Sequence, residues 1–179
     1  DSLSFDLTNA QKQTVKEILE DLEKPFPMHR LLQGDVGSGK TIVAIIAALN
    51  TIYNGHQVVL MAPTEILAKQ HYQSFLKFLK EHSLNIQFIA GSTSTGQKKE
   101  VIKQMKTGTC DIVIGTHALI QDQIGFKNLG LAIIDEQHRF GVKQRAKLKE
   151  IGKSPHLLSL SATPIPRTLA ITVYGDQDL

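Results

Sequence analysis

The chain has 179 residues, 41% apolar and 21% charged, the balance of an ordinary globular domain with a core of its own. Twenty basic against 17 acidic residues leave a net charge of +3, which permits nucleic-acid binding without arguing for it. The single cysteine, Cys110, excludes an internal disulfide framework; no apolar run approaches the roughly 18 residues of a membrane span, and no signal peptide opens the chain. A reducing, cytoplasmic setting is the expectation. The chain starts at Asp1 without an initiator Met and closes on Gly175–Leu179, so a fragment of a larger protein is expected.

In chain order, Val15, Ile18, Leu19 and Leu22 recur at helical spacing and predict a first helix, which Thr8 and Gln11 open with the spacing of a capping box. The apolar run 30–33 (RLLQ) then reads as a buried strand, followed by the glycine-rich 34–41 (GDVGSGKT). From Gly39 a second helix begins, with Ile42, Val43, Ile45, Ile46, Ala47, Leu49 and Ile52 apolar almost all round, so it is expected to be buried. Further short apolar runs at 57–62, 86–90, 111–116, 131–136 and 156–162 read as strands. Between them, Leu67, His71, Phe75, Phe78, Leu79 and His82 mark a long helix. Val101, Ile102 and Met105 mark the apolar side of another, with Lys98, Lys99, Lys103 and Lys106 as its solvated face. Strands alternating with helices predict a three-layer α/β/α domain around a mostly parallel central sheet. In such sheets ligands bind beyond the carboxyl ends of the strands, and the polar surprises of this sequence sit at those ends.

Residues 34–41 fit G-x-x-x-x-G-K-[ST] with a strand before and a helix after. Gly34, Gly37 and Gly39 let the backbone wrap closely and aim N–H groups, including those of Asp35, Val36 and Ser38, at phosphate oxygens. The following helix presents its positive end to the same anion. Lys40 is expected to reach the β and γ phosphates of a nucleotide, and the Thr41 hydroxyl to ligate Mg²⁺. A P-loop of this kind needs a second acid from another strand, and Asp135, at the end of the run LAII, supplies it. Glu136 is then placed to orient or deprotonate an attacking water. The competing reading of these two acids is a helix N-cap with a favourable charge in the first turn.

Five stretches in this order, GDVGSGKT, APTEILAKQH, GTHALIQ, DEQHRFGVKQR and SATPIPRTLA, resemble motifs I, Ia, Ib, II and III of superfamily 2 helicases. Their wording is similar to the RecG-type branch, bacterial ATP-dependent helicases that remodel branched DNA. DEQH, Ser38 and APTEILA favour that branch over the transcription-repair coupling translocases, which share ATPIPRTL. The resemblance implies a RecA-like domain using ATP and Mg²⁺, with branched or forked DNA as partner. It implies that Gln137 and His138 couple the nucleotide site to the DNA path, and that Ser161, Ala162 and Thr163, on a strand lying between those of motifs I and II, link hydrolysis to domain movement. It places Pro63, Thr64 and Glu65, and Gly115, Thr116 and His117, along the DNA backbone; Thr64 and Thr116 also read as ordinary helix caps. At the front it sets Gln11 on the adenine edge with Phe5 and Thr8 nearby, in a segment 1–26, whereas the capping box remains open as the other reading of Thr8 and Gln11.

The family's motor has two RecA-like halves with ATP between them, and the second half carries an arginine worth about 10³–10⁵ in rate. The expectation is therefore a first half, monomeric, without the second half or the wedge domain, that binds nucleotide weakly and turns over little by itself. A small-molecule kinase and a nucleotide-gated scaffold are the readings from other classes. The first would transfer phosphate to an acceptor; the second would bind without turnover.

Overall fold

The computed structural model describes residues 6–116, 119, 125–135 and 154–162. Its elements are α1 (Asn9–Leu22), β1 (His29–Gln33), α2 (Lys40–Tyr53), β2 (Gln57–Ala62), α3 (Glu65–Phe78), β3 (Ile86–Ile89), α4 (Thr95–Thr107), β4 (Ile112–Thr116), β5 (Leu129–Asp135) and β6 (His156–Ser161). The strands form one sheet in the order β1-β6-β5-β2-β4-β3. Every pairing is parallel, so the expected "mostly parallel" sheet is wholly parallel among the described strands.

Side chains alternate across a strand, and both faces of this sheet are apolar. On one face Val58, Leu60, Leu131, Ile133, Leu158 and Leu160 pack with Ile18 of α1, the apolar side of α2, and Phe75 of α3. On the other, Val59, Met61, Val113, Ala132 and Ile134 meet Val101 and Met105 of α4. α2 is buried at seven positions, from Ile42 to Thr51, as its all-round apolar sequence predicts. No helix among the described residues is long and apolar enough to cross a membrane.

α1 is tied to the sheet by charge as well as by packing. Arg30 of β1 reaches Glu17 at 2.9 Å and Asp21 at 2.6 Å. Burial alone would push the Asp21 carboxyl up, but hydrogen bonds from Lys24 and Arg30 outweigh it and hold the group below its ordinary value.

At the amino-terminal pole of the sheet a buried amide takes the place of apolar contact. Gln57 Nε2 donates to the carbonyls of Met105 (3.0 Å) and Cys110 (2.8 Å), and its Oε1 accepts from the Asn128 N–H (3.0 Å). One side chain thereby fastens the end of α4 and the approaches to β4 and β5. Gln57→Leu would strip the Cys110 carbonyl of this donor, while the Met105 carbonyl keeps the N–H groups of Gly108 and Lys127. An unsatisfied buried group costs about 1–3 kcal/mol, and we expect a loss of that size, read by urea unfolding; an unchanged midpoint would remove the clamp.

Beside it, burial pushes the Cys110 thiol up from 9.0 to about 12. Unfolding frees the thiol to ionise, so this contribution to stability is intact below pH 9 and is lost as the pH rises towards about 12. The native chain should resist a thiol reagent at pH 9 and react after denaturation; rapid native labelling would contradict the burial.

Candidate nucleotide-binding site

β1 leaves the sheet at Gln33, and the chain turns back into α2 through residues 34–39. Gly37 and Gly39 both have φ of 84°, a left-handed conformation that a side chain would strain, and Gly39 caps α2 in it. The Ser38 N–H donates to the Asp35 carbonyl at 3.1 Å, closing the turn. Asp35, Val36, Gly37 and Ser38 are exposed, while Gly34, Gly39, Lys40 and Thr41 are half-buried. Val36 is 90% exposed, so only its backbone can serve a ligand held in the loop. Lys40 opens α2, and its Nζ donates to the carbonyls of Gly34 (2.6 Å) and Asp35 (2.8 Å). The ammonium is thus bent over the loop that precedes it.

Two neighbours brace this loop. The Gly34 N–H donates to the Ser161 carbonyl at 3.2 Å, joining the loop's root to the end of β6. β6 lies between β1 and β5, where the resemblance set it, with Ala162 half-buried just beyond. From the front, Gln11 makes both halves of the capping box: its N–H donates to the Thr8 hydroxyl (3.2 Å) and its Oε1 accepts from the Thr8 N–H (2.9 Å). Its Nε2 donates to the Ser38 carbonyl at 2.9 Å. Gln11 is therefore a cap and a brace of the glycine-rich loop at once, a contact that spacing along the chain could not reveal.

Asp135 ends β5 on the same face as Leu131 and Ile133, the face that α2 and α3 cover. Its Oδ2 lies 2.7 Å from Nε2 of His71 on α3, with the two side chains 14% and 10% exposed. In the sequence His71 is one more position on the apolar face of α3, and nothing in its spacing points to this partner.

Along the rim, Thr64 caps α3 through a bond from the Leu67 N–H (3.3 Å), with Glu65 in the first turn and Pro63 half-buried before it. The Ser92 hydroxyl, in the loop after β3, donates to Glu65. Gly115 is buried in β4, where a Cβ would lie 2.1 Å from the Ile89 carbonyl oxygen; close strand approach is enough to demand glycine there. Thr116 ends the same strand, half-buried. Phe5, His117, Glu136, Gln137, His138 and Thr163 lie outside the described residues. A 310 Å³ cavity bordered by Thr51, His56 and His156 sits at the opposite pole of the sheet, away from the glycine-rich loop.

A wholly parallel sheet with a phosphate-type loop after its first strand, and an acid ending a strand on the same face, defines a P-loop nucleotide-binding domain. The DEAD/DEAH box helicase model matches residues 8–171, and the chain belongs to that family. Across its whole length it is 58% identical to the ATP-dependent DNA helicase RecG of Aquifex aeolicus, covering 23% of that protein. It is 51% identical to RecG of Bacillus subtilis over 99% of the chain and 26% of the relative. A solved structure of RecG bound to a three-way DNA junction superposes with a TM-score of 0.86 at 47% identity, over 98% of this chain and 23% of that one. The fold alone is shared with the UvsW helicase of bacteriophage T4, with a TM-score of 0.69 at 19% identity, over 89% of this chain and 53% of that one. The chain spans about a quarter of the length of the curated relatives it matches.

The double use of Gln11 gives an expected outcome. Thr8→Ala should remove about 0.5–2 kcal/mol as a lost cap. Gln11→Ala should in addition raise amide hydrogen exchange across 37–40, because the Ser38 carbonyl loses its partner; equal exchange in both variants would confine Gln11 to capping.

Proposed function

We propose that this chain is the ATP-binding half of a RecG-type motor that uses ATP hydrolysis to remodel branched or forked DNA in the bacterial cytoplasm. The observation that carries the reading is the rim itself: the glycine-rich loop, the carboxyl end of β6 and Asp135 stand side by side at one end of a sheet that matches RecG along the whole chain. The second RecA-like half and the wedge domain are assigned to the remainder of the full protein. A transcription-repair coupling translocase is not favoured by the RecG likeness.

On this reading the N–H groups of residues 34–39 and the start of α2 receive the phosphates. Lys40 exchanges its two carbonyl partners for phosphate oxygens, replacing neutral acceptors with charged ones. The Thr41 hydroxyl and the Asp135 carboxylate are the hard oxygen donors that Mg²⁺ takes, and both belong to the face of the sheet that α2 covers. The metal would neutralise charge on the phosphates. Glu136 takes the role of orienting water, and Gln11, with Phe5, that of reading adenine. Pro63–Glu65 and Gly115–His117 line the DNA path. Gln137 and His138 couple the nucleotide site to that path, and Ser161–Thr163 carry the state of the nucleotide to the second half. The transition-state arginine is assigned to the second half, so the 179-residue chain by itself is expected to bind with little turnover.

The test reads binding and turnover separately. The 179-residue chain should bind a fluorescent ATP analogue, and Lys40→Ala should abolish that binding. In the full protein the same substitution should cut fork-stimulated phosphate release by about 10²-fold or more. Binding and turnover that survive Lys40→Ala would refute the nucleotide site. Phosphate appearing on a small acceptor would favour a kinase.

A further inference from the structure

The contact between His71 and Asp135 is not required by the P-loop chemistry, and it joins two motifs that sequence reading kept apart. His71 sits on α3 beyond the Thr64 cap, nearly buried, among residues such as Ala68 and Phe75 that pack against the sheet. A carboxylate only accepts hydrogen bonds, so at 2.7 Å the imidazole Nε2–H is the donor and Asp135 Oδ2 the acceptor. An aspartate at the end of a strand, held by nothing, can turn about its χ2 and present either oxygen in many directions. With Oδ2 held by a donor on a packed helix, that rotation stops and Oδ1 is offered in one orientation.

We propose that His71 is a positioning residue for the metal-binding carboxylate: its bond to Oδ2 fixes Asp135 so that the remaining oxygen meets a nucleotide-bound divalent cation in a single geometry. The proposal rests on the reading of Asp135 as the Mg²⁺-facing acid. Partners that orient a ligating carboxylate typically govern metal affinity by about 10–100-fold when removed. The bland alternative is a core histidine that merely satisfies its own nitrogen. That alternative predicts lost stability, with no selective effect on the metal.

The experiment uses the 179-residue chain and a fluorescent ATP analogue, titrated with Mg²⁺ after binding has been measured in EDTA. Electron paramagnetic resonance of Mn²⁺ in the same complex supplies a readout independent of turnover. His71→Leu should raise the Mg²⁺ midpoint by about 10–100-fold, broaden the Mn²⁺ signal and leave binding in EDTA unchanged. His71→Gln, which keeps an amide N–H near the position of Nε2, should recover most of the midpoint. If the Leu variant does not fold, His71→Asn takes its place, since its amide is too short to reach Oδ2. Asp135→Ala is the reference. A midpoint moved by Asp135→Ala but not by His71→Leu or His71→Asn overturns the proposal and leaves the nucleotide site standing. A midpoint that Asp135→Ala also fails to move overturns the metal reading of Asp135, and this proposal with it.

Discussion

Parallel pairing brings every strand of this sheet to an end at the same rim, and the rest of the molecule follows from it. Both faces must be covered, which is why α2 is apolar almost all round and why α4 carries a separate apolar set against Val113 and Ile134. Because side chains alternate, the face on which each strand's last residue emerges is set by its buried neighbours. Asp135 follows Leu131 and Ile133 to the side of α2 and α3. A one-residue slip of β5 would turn the carboxylate to the face that α4 covers. The chemistry of the rim is therefore specified in the core.

Much of this was written in the chain itself. The run QVVLMA coincides with β2, and the strand ends at 33, 116 and 135 lie within a residue of the expected ones. Continuous apolar runs bounded by turn residues are the plain signature of buried parallel strands, and the glycine-rich loop announces itself by composition. Contacts between elements were less legible. His71 fits the apolar period of α3, so nothing local separates it from a packing residue. Gln57 reads as the first polar residue of a strand, whereas it is buried and bonded to backbone from three other segments. Gln11 reads as a cap or as an adenine-reading residue, and neither reading reaches the Ser38 carbonyl, 27 residues away. Hydrogen-bond partners distant in sequence leave no periodicity behind.

Part of the glycine-rich loop is already hydrogen-bonded as it stands. The Lys40 ammonium and the N–H groups of Gly34 and Ser38 donate within the loop or to its neighbours, so a phosphate that takes these donors must displace bonds as well as form them. Only the surplus appears as affinity. The braces from Gln11 and Ser161 work in the other direction, since a loop already held in its left-handed turns loses less freedom when it closes on an anion.

α3 has a property that belongs to neither of its ends alone. Thr64 caps one terminus at the rim, and His71 touches Asp135 about 10 Å further along the same packed helix. On the proposed reading, a DNA phosphate at the capped end and a metal-bound nucleotide beside His71, midway along the helix, bear on one rigid body. Binding free energies linked through a shared element are reciprocal. Whatever factor the nucleotide and its metal impose on DNA affinity through α3, DNA must return to the metal and its nucleotide in equal measure.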